Sequence, residues 1–359
     1  MDLWHADKRG VASVVTGAGK TALALLICAD LWRAEPELRL VVVVPSLALL
    51  DQWVVALETE LGVSPADIAL FSGESKSARP GRANIAVINT ARTLPARMFA
   101  NGKNFFVVDE CHRAGAPQNA RALRIPAVYT LGLSATPVRE FDDGFERYVE
   151  PALGPVIFEY DYVDAKRDGI LSDFALHHFR IPLSETEVRQ YQAGAGGETP
   201  RSWLAVDSPR RTAAAVGIVE SNTGARIVFH ERIATATEIA RILSERGERV
   251  GLYHSHVSPS IRRRNLELFK VREFTTLVTC RALDEGVNVP DASVAVIAAS
   301  TRSTRQRIQR LGRVLRPAPG KDLAVVATVY ATQEEKIALE AEANTLAEVA
   351  DVRWYEMAI

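Results

Sequence analysis

No stretch of this chain stays apolar long enough to cross a membrane; the longest such run, Leu38 to Leu50, is interrupted by Arg39, Pro45 and Ser46. The opening residues, MDLWHADKRG, lack the basic-then-apolar order of a secretory signal, so an intracellular, cytoplasmic location is expected. Cysteine is scarce. Cys28, Cys111 and Cys280 lie far apart without a C-x-x-C pair, which argues against both a disulfide framework and a thiolate zinc site. His254 and His256 form an H-x-H with no third ligand nearby and read as a solvated strand end rather than a metal site. Charge of one sign is missing too: 43 basic residues face 44 acidic ones, so the chain cannot coat nucleic acid indiscriminately and any such site is a local groove. The basic residues still cluster, at Arg262 to Arg264 and at Arg302, Arg305, Arg307, Arg310, Arg313 and Arg316, the second group too dense in arginine for a plain solvated helix face.

What is present organises itself around Val11 to Thr21, VASVVTGAGKT. β-Branched residues break into Gly17, Ala18 and Gly19, and Lys20 and Thr21 then open an apolar-periodic segment, Ala22 to Trp32. The pattern predicts strand, tight loop and helix. Small or Cβ-free residues let a loop fold its amide hydrogens around an anion, and the helix adds its positive end to the same spot. Thr16 to Thr21 is thus a candidate phosphate cradle, in which Lys20 reaches the terminal phosphates and the Thr21 hydroxyl ligates Mg2+. The full G-x-x-x-x-G-K-[ST] pattern wants a first glycine where Val14 stands. With 359 residues the chain is long enough for two domains, each with its own core.

Leu40 to Val44 is a continuous apolar run of the kind buried on both faces of a parallel sheet, and Ser46 caps a helical pattern through Leu61. Short strands follow at Ile68 to Phe71, Ile85 to Ile88, Phe105 to Val108 and Ala127 to Leu133. The strand 105–108 runs into Asp109, Glu110, Cys111 and His112, and the strand 127–133 into Ser134, Ala135, Thr136 and Pro137. Beside a bound triphosphate, Asp109 can hold the metal while Glu110 orients and deprotonates the attacking water. The signal weakens from Arg139 to Gly224, where a hinge is expected. A second alternating block begins at Arg226, with strands at Ile227 to His230, Val250 to Tyr253, Thr275 to Val278, Val294 to Ala298 and Leu323 to Tyr330, and ends in a helix from Gln333. It repeats the architecture but not the phosphate loop, so it is not expected to bind nucleotide by itself.

In order, the chain carries TGAGKT at 16–21, VVVVPSLALLDQW at 41–53, INTART at 88–93, DECH at 109–112, LSATP at 133–137, IVFHER at 227–232, TCRALDEGVNVPDA at 279–292 and QRLGRVLRP at 309–317. This series resembles the superfamily 2 helicases and translocases of the DExH kind. Within them, LGLSATPVREFDD at 131–143 and RQRIQRLGRVLRPAPGK at 305–321 are most similar to XPB-type DNA repair helicases and related phage and restriction translocases. Arg139, Glu140 and Asp142 resemble the Arg-Glu-Asp element of that group, with Phe141 interrupting it.

The resemblance implies an α/β fold of two RecA-like parallel-sheet domains in tandem, at 1–160 and 225–332, with a connecting segment at 161–224, a C-terminal helix at 333–359 and ATP in a cleft between the domains. Thr16, Gly17, Ala18, Gly19, Lys20 and Thr21, with Asp109, Gly286 and Asn288, would bind ATP and Mg2+, the metal at Thr21 and Asp109. Glu110 would act as base, and Gln309, Arg313 and Arg316 would reach the γ-phosphate. Ser134, Ala135 and Thr136 would couple the ATP state to domain geometry. Pro45, Ser46, Asn89, Thr90, Arg92 and Thr279 would touch a nucleic-acid backbone without reading bases.

The family's adenine-reading glutamine has no counterpart among the nineteen residues before Lys20. A truncated start, a partner protein that supplies the element, or a loosely held adenine are the readings; Trp4 either stacks on the base or packs on the edge of the first domain. The expectation is a DNA-dependent ATPase motor in a prokaryotic or phage-like setting, its target chosen by partners. A DExH RNA helicase and a non-catalytic ATP-binding scaffold are the alternatives.

Overall fold

The computed structural model describes residues 2–75, 77–138, 142–193, 207–280, 292–299 and 323–358. The chain forms two compact units, one ending at Asp161 and the other beginning at Tyr162.

The first unit is built on strands β1 (Val11–Val14), β2 (Arg39–Val44), β3 (Ile68–Phe71), β4 (Ala83–Val87), β5 (Asn104–Asp109), β6 (Tyr129–Ser134) and β7 (Val156–Tyr160). They form one parallel sheet in the order β3-β4-β2-β5-β6-β1-β7. Alternation along each strand divides the core. Val42, Val44, Phe105, Val107, Leu131 and Leu133 pack on one face with Trp4, Cys28 and Trp53, whereas Val41, Val43, Phe106 and Val108 pack on the other with Phe71, Phe99 and Phe145. Unbroken apolar runs in β2 and β5 are therefore what a sheet covered on both sides requires. Each fully buried Phe or Val side chain contributes about 1.5–3 kcal/mol.

Two helices matter most for the site. Lys20–Ala34 follows β1 directly. Leu47–Leu61 follows β2; Ser46 caps it by accepting from the Leu49 amide at 3.4 Å, and Gly62, at φ 61°, ends it in the left-handed conformation. Trp4 is buried, donating its indole N–H to the Thr130 carbonyl at 2.9 Å and meeting Phe105 and Tyr129 edge-on. It is a packing residue and presents no face to a base.

The second unit contains β8 (Phe174–Arg180), β9 (Arg226–His230), β10 (Val250–Tyr253), β11 (Thr276–Cys280), β12 (Val294–Ile297), β13 (Ala324–Tyr330) and β14 (Ala350–Glu356). Their order, β10-β11-β9-β12-β13-β8-β14, is that of the first sheet with seven added to each strand, and all neighbours are again parallel. Two RecA-like sheets thus stand in tandem. Val228, Val278 and Val296 pack against Ala215, Ile218, Ile239 and Leu243 of the helices Pro209–Glu220 and Ile233–Glu245.

The boundaries differ from the expected ones in two places. Residues 161–224 are not only a connector: β8 lies inside the second sheet between β13 and β14, and the helix Pro209–Glu220 covers that sheet. The partners of β8 come 150 and 176 residues later in the chain, and no local pattern reveals such pairing. Residues 333–359 are not a single helix either. The helix Gln333–Leu346, opened by a capping box between Thr332 and Glu335, gives way to β14. That strand is a largely exposed edge, rich in charge, and its apolar alternation is correspondingly weak.

Candidate active site in the first unit

Chemistry-bearing residues collect at the carboxyl ends of β1, β5 and β6. Register places them side by side: Ser13 pairs with Ser134, and Asp109 with Leu133. Between β1 and its helix the chain turns through Gly17 at φ 95° and Gly19 at φ 90°, values that side-chain-bearing residues rarely adopt. Lys20 folds back over this loop, donating from Nζ to the carbonyl of Val14 at 3.2 Å. Val14, which stands where the full motif has glycine, is itself buried in the sheet. Thr16 Oγ1 is buried with no hydrogen-bond partner among the described residues.

Lys20 Nζ lies 3.9 Å from Glu110 Oε1. Glu110 sits at φ 49°, ψ 49°, a left-handed conformation that costs a residue with a β-carbon about 1–3 kcal/mol and that turns the chain sharply after Asp109. Its other oxygen, Oε2, is 3.4 Å from His112 Nδ1. The same nitrogen is 3.0 Å from Ser134 Oγ, which in turn accepts from the Thr136 amide at 3.1 Å. A continuous polar path therefore runs from the loop lysine to Thr136, through His112 and Ser134, both nearly inaccessible to solvent.

Asp109 is the most confined of these groups, with 6% of its surface exposed. Trp53 Nε1 donates to Oδ2 at 3.0 Å and the Glu110 amide donates to Oδ1 at 3.0 Å. Burial, and then the neighbouring Glu110 charge, push its pKa up to about 6 against the pull of Trp53 and Lys20. A carboxylate buried beside a second one gains from an added cation. Among the described residues no group of three His, Cys, Asp or Glu could hold a metal; a Mg2+ ion bound with a nucleotide does not need one, since it takes one or two carboxylates and fills the rest of its shell with phosphate and water. The glycine turn, the orphaned Thr16 hydroxyl and the cation-poor Asp109 fit a Mg2+ nucleotide. Thr21, half-buried, is the second residue of the helix that begins at Lys20. Ala135 and Thr136 are half-buried beyond β6.

The expected nucleic-acid contacts divide. Pro45 and Ser46 leave β2, while Asn89, Thr90 and Arg92 lie on the short turn that leaves the adjacent β4, so the structure brings these five to neighbouring strand ends. Asn89 is exposed, Ser46 and Arg92 are half-buried, and Arg92 donates to Asn119 Oδ1 at 3.3 Å. Thr90 is nine-tenths buried. Thr279 departs from its expected role: inside β11, between Tyr253 and Phe229, it has no exposed surface, and its hydroxyl is buried without a partner among the described residues. Gly286, Asn288, Gln309, Arg313 and Arg316 lie outside the described residues, as do Arg139 and Glu140.

Trp53 and the His112–Ser134 contact are the parts of the site that pattern reading missed. Two turns separate Ser46 from Trp53, which shares one helix face with Leu50 and Leu57, and helical spacing says nothing of where its N–H goes. In the second sheet the corresponding strand ends, those of β12 and β13, are occupied from within. Arg211, with no exposed surface, donates to the carbonyls of Ala298 at 3.2 Å and Val329 at 2.7 Å and to both Glu335 oxygens at 2.6 Å. His254 and His256 are edge-on with ring centres 6.2 Å apart, and His254 Nε2 meets Thr237 Oγ1 at 3.2 Å.

Comparison with known proteins gives the likeness of each unit and of the whole chain. The family model described as the type III restriction enzyme res subunit matches residues 2–139, and that of the helicase conserved C-terminal domain matches 211–318. The chain is 28% identical over 324 residues to Rad25 of Haloarcula marismortui, covering 89% of this chain and 49% of that one. It is 24% identical over 372 residues to the DNA 3'-5' translocase XPB2 of Sulfurisphaera tokodaii, covering 93% and 81%. The chain spans about half the length of the Rad25 relatives it matches. Among solved structures, the type ISP restriction-modification enzyme LlaBIII bound to DNA superposes with a TM-score of 0.68 at 15% identity, over 99% of this chain and 30% of that one.

Proposed function

From the two helicase-family models that the chain matches and its likeness to the XPB-type relatives, we propose that it is a superfamily 2 ATP-driven DNA motor, coupling hydrolysis to movement along DNA or to its unwinding. The observation that carries the proposal is the arrangement of Lys20, Glu110, His112 and Ser134 in one polar path beside a buried Asp109.

In this reading the turn from Thr16 to Gly19 and the helix start at Lys20 hold the phosphates, and Thr21 and Asp109 hold Mg2+. ATP with its metal supplies the phosphoryl group and neutralises charge as that group transfers. Glu110 orients a water and takes its proton on a carboxylate oxygen, and Lys20, 3.9 Å from that carboxylate, draws it toward the loop. His112 lies between Glu110 and Ser134, so a change in how Glu110 is engaged reaches the segment after β6 through a chain of close polar contacts. On resemblance alone, Gly286, Asn288, Gln309, Arg313 and Arg316 complete the nucleotide site. An arginine that meets the γ-phosphate in this way is worth about 10³–10⁵ in rate.

DNA would meet Pro45, Ser46, Asn89 and Arg92 through its backbone, which carries no sequence information. The names of the relatives favour DNA over RNA as the track. Target choice would come from protein partners, in the cytoplasm of a prokaryotic or phage-infected cell. No described helix is long and apolar enough to cross a membrane.

The test is phosphate release by the purified chain with and without single-stranded and duplex DNA and matched RNA. Stimulation by DNA is expected, and turnover indifferent to every polynucleotide would overturn the proposal. Binding of nucleotide with no turnover under any of them would instead favour the scaffold reading.

A further inference from the structure

Trp53 ties the helix rising from the proposed DNA face to the carboxylate proposed to hold the metal. Resting on the function proposed above, we infer that Trp53 is a positioning residue through which DNA bound at Ser46 sets the orientation of Asp109, making metal-nucleotide engagement responsive to DNA.

One rigid element carries both ends of this link. Ser46 caps the helix Leu47–Leu61, and Trp53 lies two turns on, about 10 Å along the axis. Trp53 is 1% exposed and packed in the core with Leu50 and Leu57. Interiors packed like crystals leave such a ring no room to move unless its helix moves with it. At the other end the indole N–H donates to Asp109 Oδ2 at 3.0 Å, while Oδ1 takes the Glu110 amide at 3.0 Å. The carboxylate is held from two sides, by its own chain and by the helix. A displacement of the helix therefore acts on one of its two restraints.

The sheet shortens the path. β2, which leads into Ser46, is hydrogen-bonded to β5, which ends at Asp109, with Val43 opposite Val108. The two sites thus occupy neighbouring strand ends of one sheet. Phenylalanine would fill most of the space that Trp53 fills; what tryptophan adds is the donor, and its acceptor is a buried carboxylate rather than the backbone. Every buried indole needs an acceptor, and Trp4 and Trp32 find theirs in the carbonyls of Thr130 and Leu38, whereas Trp53 engages a carboxylate of the proposed site.

Trp53→Phe separates the two roles. The factor by which oligothymidylate stimulates ATP turnover should fall about tenfold, and the Mg2+ needed for half-maximal turnover should rise several-fold, while affinities for Mg2+-free ATP and for oligothymidylate alone stay within about twofold, as expected for losing one charge-assisted bond. A second measurement uses the unaltered chain: the indole N–H resonance of Trp53, identified by its loss in Trp53→Phe or, should that variant not fold, by its shift in Asp109→Asn. It should move when oligothymidylate is added and again with Mg2+ and a non-hydrolysable ATP analogue. Unchanged stimulation and Mg2+ requirement in Trp53→Phe, or an indole resonance indifferent to oligothymidylate, would overturn the coupling while the motor reading stands. Wild-type turnover indifferent to DNA would overturn the motor reading itself.

Discussion

Lys20 Nζ stands 3.9 Å from Glu110 Oε1 and 3.2 Å from the Val14 carbonyl, so the loop lysine is already turned inward toward the carboxylate it would serve beside. The contact links the helix after β1 to the turn after β5, two elements separated by 90 positions in the chain and by one strand, β6, in the sheet.

This pairing assigns different losses to its two members. Lys20→Ala should abolish turnover and weaken nucleotide binding, because the loop loses its only lysine. Glu110→Gln should also abolish turnover, by about 10²–10⁴ for loss of a general base, yet still bind ATP. Titration with a fluorescent nucleotide beside a phosphate-release assay distinguishes the two. Normal hydrolysis by Glu110→Gln would show that another group takes the proton.

Asp109 should make both stability and activity depend on pH. Its pKa is raised to about 6 from 3.8, so between those values the folded protein binds more protons than the unfolded chain, and stability falls as pH rises through that window. The cost at neutral pH is about 2–3 kcal/mol. Asp109→Asn should therefore raise the melting temperature of the ligand-free protein at pH 8 and flatten the slope between pH 4 and 6 in urea unfolding. Mg2+ competes with the proton for this carboxylate, so the acid limb of turnover should move to lower pH as Mg2+ increases.

Ser134→Ala should uncouple rather than disable. Removing the hydroxyl takes a partner from His112 Nδ1 and leaves the Thr136 amide without its acceptor, at a stability cost of about 1–3 kcal/mol. Nucleotide affinity should stay near the wild-type value while ATP consumed per unit of movement along DNA rises, which a triplex-displacement assay run beside phosphate release would detect.

The second unit should be sensitive at Arg211. Arg211→Met breaks a buried pair, leaving Glu335 without this cation and two carbonyls without this donor, for a loss of about 3–5 kcal/mol. Combining it with Glu335→Gln should recover part of the loss. Chemical unfolding of the single and double variants measures this, and nucleotide binding by the first unit should persist in both.

Much of the site was legible in the sequence because its parts are local. A glycine-rich turn with Lys20 and Thr21, and two carboxylates at the end of a buried strand, declare their chemistry within a few residues of chain. Thr279 shows the limit. Its motif suggested a backbone contact, but a residue inside a strand points where the pleat sends it, here into the core beside Phe229 and Tyr253. Trp53 shows the converse, a residue packed in the core whose N–H reaches a buried carboxylate 56 positions away.

From the order of residues alone came two alternating α/β blocks, a phosphate loop in the first only, and the identity of the lysine and carboxylates, since hydrophobic period, turn chemistry and motif spacing are written over short distances. Tertiary structure decided what long-range pairing decides. It placed β8 and β14 in the second sheet, filled that sheet's strand ends with Arg211 and Glu335, put Trp4 in the core, and joined Trp53 to Asp109 and His112 to Ser134. These contacts depend on which strands become neighbours and which way each side chain turns, and that is settled only when the whole sheet has closed.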